Sequence, residues 1–222
     1  MSRRTAIATS LAIVGAMAAL SAWAWLALPD GARVPVHWDI EGRADAWADK
    51  SVGLAVLPLT ALGLAGLFAI LPSIEPRRMN LERSWRAYRA MWLSTIVLLL
   101  GLHVGVILVG FDAGVDISRL LLIGISLLLM IIGNYLPTMR SNWFVGIRTP
   151  WTLASERSWE QTHRVGGRLF VLVGIATALS AAFDLGGSAS FIVAVGGIGL
   201  VAVSAIVYSF LVWRSDPDRR TQ

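Results

Sequence analysis

Three groups of side chains in this sequence are of types that could do chemistry. The first is His37, Asp39, Glu41 and Asp45, potential cation ligands crowded into one short stretch. Calcium-loop spacing fails here, because Gly42 is misplaced and no closing Glu follows. A zinc site would have one His and otherwise only carboxylates. With Pro35 and Gly42 as turn makers and Trp38 and Trp47 as amphipathic anchors, the stretch reads instead as a compact loop lying against a membrane interface, and no metal is expected. His37, Trp38, Asp39, Gly42, Asp45 and Lys50 are its candidate contact residues.

The second group is Asn134, Asn142, Trp143, Gly146, Arg148, Thr149, Pro150, Trp151 and His163. Pro137 should end or kink the helix before this segment. Thr149 followed by Pro150 reads as an N-cap with proline at the first helical position. The short helix so begun would carry Trp151, Ser155, Trp159 and His163 on one stripe, with Glu160 and Arg164 as an i,i+4 pair, and would suit a membrane surface. It serves either as an interfacial connector or as a docking surface for a partner. The third candidate is His103, an ionisable residue inside an apolar run. Such residues are functional candidates by default. It stands two positions from both Gly101 and Gly105, so it points away from that small-residue face and toward a hydrogen bond with a neighbouring helix.

Other chemistry is missing. There is no cysteine, hence no disulfide, thiolate site or Cys nucleophile. No acid–base couple, phosphate loop, nucleophile elbow or zinc-protease helix is present. No catalytic residue and no cofactor is expected.

The elements that position these residues are membrane spans. Of 222 residues, 56% are hydrophobic and 15% charged, a balance no soluble domain of this size carries. Six runs are long enough to cross a bilayer as helices: 5–28, 52–71, 90–111, 119–136, 169–185 and 191–213. Fifteen of the 19 Lys/Arg fall on one side of that arrangement, and eight of the 14 acidic residues on the other. The positive-inside rule therefore puts both termini and the two long basic loops in the cytoplasm. The net charge of +5 is then a topology signal, with anionic lipid as its natural contact, and not a nucleic-acid footprint. Trp23, Trp25, Trp92 and Trp213 fall at span ends, as an aromatic belt would. The first run, with Arg3, Arg4 and the triplet Ala22-Trp23-Ala24, has features of a signal peptide but is long for one and is read as a retained helix. The expectation is an all-α integral membrane protein of six helices with both termini cytoplasmic.

The two basic loops share a pattern. Leu71-Pro72-Ser73-Ile74 leads to Glu82-Arg83-Ser84-Trp85, and Leu136-Pro137-Thr138-Met139 leads to Glu156-Arg157-Ser158-Trp159. The proline-to-glutamate spacing is 10 residues in the first and 19 in the second, and the nine extra match the length of 142–150. This suggests duplication of a helix–loop–helix hairpin with an insert in the second copy; chance similarity in a juxtamembrane vocabulary is the alternative.

The run Gly133-Asn134-Tyr135-Leu136-Pro137, then Asn142-Trp143-Phe144-Val145-Gly146-Ile147-Arg148-Thr149-Pro150-Trp151-Thr152-Leu153, Trp159 and Thr162-His163-Arg164, closely resembles the signature of the Sdp-type immunity family of bacterial membrane proteins. The segment from Pro35-Val36-His37-Trp38 through Gly42, Asp45 and Lys50 to Pro58 resembles the DUF1648 region often joined to it. The resemblance implies a DUF1648-like region at 1–72 and an immunity-like region at 73–222. It also implies protection against a secreted antimicrobial peptide, met by the outer loop. A small transcriptional repressor would be held at the membrane by the inner loop around 143–151. A transporter or permeability-modulating protein using His103 is the second reading, and a membrane-surface enzyme centred on His37, Asp39, Glu41 and Asp45 the third.

Overall fold

A computed structural model describes residues 2–41 and 43–218. The elements are α1 (Arg3–Ala27), β1 (Arg33–Trp38), β2 (Ala44–Asp49), α2 (Lys50–Ile74), α3 (Arg78–Arg83), α4 (Trp85–Gly110), α5 (Ile117–Tyr135), a 3₁₀ turn at Leu136–Thr138, α6 (Pro150–Ala154), α7 (Glu156–Ala182) and α8 (Gly187–Arg214). Six of these helices, α1, α2, α4, α5, α7 and α8, are long and apolar enough to cross a membrane. The protein is an all-α multi-pass membrane protein with one small hairpin added. Its outward faces are those of a lipid-immersed bundle, with Leu26, Leu59, Leu172 and Leu200 all exposed.

The helices fall into two groups of neighbours. In the first, α1, α2 and α4 pack on one another; in the second, α7 lies between α5 and α8; and α4 meets α5 where the groups join. Lipid supplies no hydrophobic drive between helices, so close backbone approach carries much of the packing. At the α5–α7 crossing a Cβ on Gly133 would stand 2.5 Å from the Gly167 carbonyl, and one on Gly167 would stand 2.5 Å from that of Gly133. By contrast Gly101 faces open space, and the room at Gly105 is taken by Ile117 and Leu120.

Two helices begin well before the expected spans. α7 starts at Glu156, not near 169, and α4 at Trp85, not near 90. Along the first turns of α7, Arg157, Glu160, Arg164 and Arg168 are exposed, whereas Ser158, Trp159, Thr162 and His163 are buried. The helix emerges from the bilayer with a charged outer face, and hydropathy registers only the part that stays within it. The stripe expected through Trp151, Ser155, Trp159 and His163 does not form. Ser155 is extended (φ −145°, ψ 120°) and caps α7 through Ser158 N–H, which separates α6 from α7. Trp92 is another correction: it is fully buried among Tyr88, Ile96 and Phe68, a core residue and not part of a belt.

Two other features match expectation. α5 gives way at Leu136 to a 3₁₀ turn holding Pro137. Thr149 caps α6 with Pro150 at its start, and Thr152 completes a reciprocal capping pair. The compact loop is an antiparallel hairpin, with Arg33 opposite Asp49 and Val34 opposite Ala48 and irregular register near His37. It is seated on the bundle by Val34, which is fully buried against Gly53.

Candidate functional site

The candidate inner-loop residues are assembled at the basic end of the bundle. Asn142 is fully buried and folds the segment around itself. Its Oδ1 accepts the N–H groups of Phe144 (3.0 Å) and Val145 (2.7 Å), and its Nδ2 donates to the carbonyls of Arg140 (2.9 Å) and Val145 (3.0 Å). One buried amide thus satisfies a turn that has no regular ladder of its own. At the next bend Gly146 takes φ +117°, and a Cβ there would lie 2.4 Å from His163 Nε2. Only glycine meets both conditions.

His163 holds the far side of this bend. Its Nε2 accepts the Ile147 N–H (3.1 Å), so Nδ1 carries the proton and donates to the Trp159 carbonyl at 2.8 Å. The ring stacks on Trp159 with centroids 4.0 Å apart, and Trp159 Nε1 donates to the Met139 carbonyl (2.7 Å). His163 and Trp159 are both fully buried, so they form the wall of the loop and not a presented face.

Residues from both halves of the chain fix the segment. Glu75, just past α2, accepts the Trp143 N–H with its carboxylate (3.1 Å) and the Arg77 N–H (2.9 Å). Arg77 donates to Ser141 Oγ and to the Leu153 carbonyl (3.1 Å), and its guanidinium lies over the Trp143 ring. Asn80 donates to the Ser141 carbonyl (2.8 Å). From α8, Ser209 accepts the Thr149 hydroxyl (2.9 Å) and its carbonyl accepts that of Ser158 (2.8 Å), while Asp216 accepts the Ser155 hydroxyl. Trp151 packs edge-on against Phe210 at 5.2 Å. Facing outward are Trp143, Pro150 and Arg148, whose Nη1 returns to the Trp143 carbonyl (2.7 Å).

Not every candidate joins this cluster. Asn134 is exposed on α5. The residues sequence reasoning missed are Glu75, Arg77, Asn80, Ser141, Ser209 and Asp216. Glu75 carried a signal: a carboxylate at a helix C-terminus opposes the macrodipole and calls for a specific partner.

At the opposite end, the hairpin turn is organised by Asp39. Its carboxylate accepts the N–H groups of Glu41 and Arg43 (both 2.9 Å) and Arg43 Nε (3.1 Å). The Arg43 backbone N–H in particular holds the Asp39 carboxyl below its usual range. His37 Nδ1 lies 2.6 Å from Asp45 Oδ1, with both side chains exposed, and Trp38 is half-buried beneath them. Gly42 lies outside the described residues. Lys50 faces inward: its ammonium donates to the carbonyls of Trp25 and Leu28 and to Asp30, each at 3.2 Å, and so caps the end of α1. Among the described residues no group of three or more His, Cys, Asp or Glu is placed to hold a metal ion. Mid-bundle, His103 Nε2 is 3.1 Å from both Ser21 Oγ and the Met17 carbonyl of α1, and the ring is fully buried.

Among the described residues, neither end shows a Ser or Thr hydroxyl hydrogen-bonded to a histidine base. Each presents a fixed surface, suited to contact with another molecule. Residues 138–209 match the model of the SdpI/YfhL protein family, and residues 12–62 match a domain of unknown function, DUF1648. The immunity protein SdpI of Bacillus subtilis (strain 168) is 25% identical over 150 residues, covering 68% of this chain and 70% of that protein. No solved structure matches. The SdpI/YfhL match thus covers the buried Asn142–His163 scaffold, and the DUF1648 match covers the hairpin.

Proposed function

We propose that this protein is a non-enzymatic immunity protein of the bacterial plasma membrane, protecting its cell against an antimicrobial peptide. The reading also has it report the peptide's presence through a cytoplasmic repressor. The observation that carries it is the inner segment 141–152. Its polar side chains are spent on holding a shape, through Asn142, Glu75 and His163, with Trp143 and Arg148 left outward. A relative named as an immunity protein matches over most of its length. In this reading the positive-inside rule puts that surface in the cytoplasm, where a repressor would dock. The exposed hairpin residues His37 and Asp45, with Asp39 shaping the turn beside them, would meet the peptide outside.

Two parts of the fold support a link between the ends. The hairpin tip lies against the start of α8, where a Cβ on Gly187 would stand 2.5 Å from the Glu41 carbonyl. The other end of α8 supplies Ser209 to the inner segment, and Asp216 follows just beyond it. One rigid helix thus touches both surfaces.

The test is survival and membrane potential of a toxin-sensitive bacterium expressing this chain, challenged with an Sdp-type peptide toxin. The double variant His37→Ala/Asp45→Ala and the variant Arg148→Ala are run in parallel. Protection lost in the hairpin variant and kept in Arg148→Ala supports an outer immunity surface separate from an inner signalling one. A well-expressed chain that gives no protection rules out immunity to that peptide class.

A further inference from the structure

A polar cavity of about 370 Å³ opens at the basic end beside the inner segment, between α3, the turn at 137–139 and the start of α7. Three arginines line it, Arg83, Arg140 and Arg164, each from a different element. Their backbones are held in place. The Arg140 N–H donates to Ser84 Oγ at 2.8 Å, which ties Arg140 to the residue after Arg83. Arg164 stands on α7 next to the fully buried His163. Met139 and Trp159, joined by the indole hydrogen bond, also line it.

Glu156 and Glu160 face the same space. Glu160 engages Arg140 at 3.6 Å, with both side chains more than half exposed. Such a pair is weak and exchangeable. The three guanidiniums exceed the two carboxylates by one charge, a surplus that matches a phosphodiester monoanion. Guanidinium forks bind phosphate oxygens in bidentate fashion, and a phosphate offers oxygens to more than one arginine at once. The cavity is level with Pro137, where α5 leaves regular helix, at the end of a span long and apolar enough to cross a membrane. Basic pockets between helices on the cytoplasmic side are suited to anionic headgroups.

We propose that this cavity is a binding site for one phosphate group, carried by an anionic phospholipid headgroup or by a free phosphate ion, held by Arg83, Arg140 and Arg164. On binding, the phosphate displaces Glu160 from Arg140 and joins α3, the 137–139 turn and α7 across a single anion. The site is independent of the immunity reading and stands or falls apart from it.

The experiment uses the full chain in phosphatidylcholine nanodiscs, with and without phosphatidylglycerol, and separately with orthophosphate at constant ionic strength. Thermal unfolding and lipid retention by native mass spectrometry are the readouts. Phosphatidylglycerol should raise the unfolding temperature and be retained. Arg83→Gln and Arg164→Gln should each weaken that retention by about tenfold, the worth of one charge-assisted bond. Arg157→Gln, which removes a nearby arginine outside the cavity, should leave it unchanged, and Arg164→Lys should restore part of it. A variant-sensitive response to orthophosphate alone, with none to phosphatidylglycerol, keeps the site and makes the free ion its ligand. No response to either probe, or equal loss in Arg157→Gln, overturns the proposal.

Discussion

The carboxylate of Glu75 accepts the backbone N–H of Trp143 at 3.1 Å across 68 positions of chain. Glu75 belongs to the first basic loop and Trp143 to the second, so this contact joins the two loops that share a sequence pattern. The same carboxylate accepts the Arg77 N–H, and the Arg77 guanidinium lies over the Trp143 ring. The Trp143 side chain is thereby presented outward on a backbone that is held from within.

Replacing Glu75 by Ala should therefore release the inner segment. Glu75 is 4% exposed, and its loss orphans the N–H groups of Trp143 and Arg77. The cost should be about 2–3 kcal/mol, the range for a buried charge-assisted network. Glu75→Gln keeps one acceptor and should cost about half as much. Unfolding of the purified protein in detergent measures both, and Trp143 quenching by iodide should rise only where the segment loosens.

Gly146→Ala should be among the most damaging single changes in the segment. The backbone at φ +117° disfavours any side chain, and the added Cβ would strike His163 Nε2. A destabilisation of about 2–3 kcal/mol is expected from strain together with the lost Ile147–His163 hydrogen bond. The double variant Gly146→Ala/His163→Ala removes the clash but keeps the backbone strain. It should recover less than half of the loss, and a full recovery would show that crowding alone was responsible.

The spans were legible in the sequence because a run of apolar residues has no other stable disposition in a chain with so few charges. The break at Ser155 was not. Trp151, Ser155, Trp159 and His163 are spaced as one helical stripe, and periodicity cannot report that Ser155 turns its hydroxyl to Asp216, 61 positions away. Asn142, Gly146 and His163 were picked out as a group, yet their roles as an inward scaffold depend on tertiary contacts. Glu75, Ser209 and Asp216 were overlooked for the same reason: each acts through a partner remote in sequence. Lys50 looked like a loop cation, and its burial follows from the open carbonyls at the end of α1, whose position only the folded bundle sets.

Lys50 gives a prediction with an internal contrast. Its side chain is 11% exposed, whereas its ionic partner Asp30 is fully exposed. Lys50→Met should cost about 2 kcal/mol, because two helix-end carbonyls lose their donor and the ammonium leaves the Trp25 face. Asp30→Asn should cost under about 0.5 kcal/mol, as exposed ion pairs do. Chemical denaturation of the two variants in the same detergent separates them, and equal effects would mean that the ion pair, not the carbonyl cap, does the holding.

The hairpin turn should be acid-sensitive through Asp39. Backbone N–H donation from Arg43, with help from its side chain and from Glu41, lowers the Asp39 pKa below its ordinary 3.8. A carboxylate with a depressed folded-state pKa contributes its stabilisation fully above the unfolded value and loses it as pH falls through the lower, folded one. The turn should thus be intact at neutral pH and through pH 5, and loosen only below the ordinary aspartate range. Hydrogen exchange at the Glu41 and Arg43 amides, measured against an amide in the middle of α4, would follow this. Protection at those two amides should fall on acidification in the native sequence. In Asp39→Asn it should be lower at neutral pH and flat through the same range, because the amide side chain has no proton to take up. An acid-induced loss that persists in Asp39→Asn would place the titration on Glu41 or Asp45 instead.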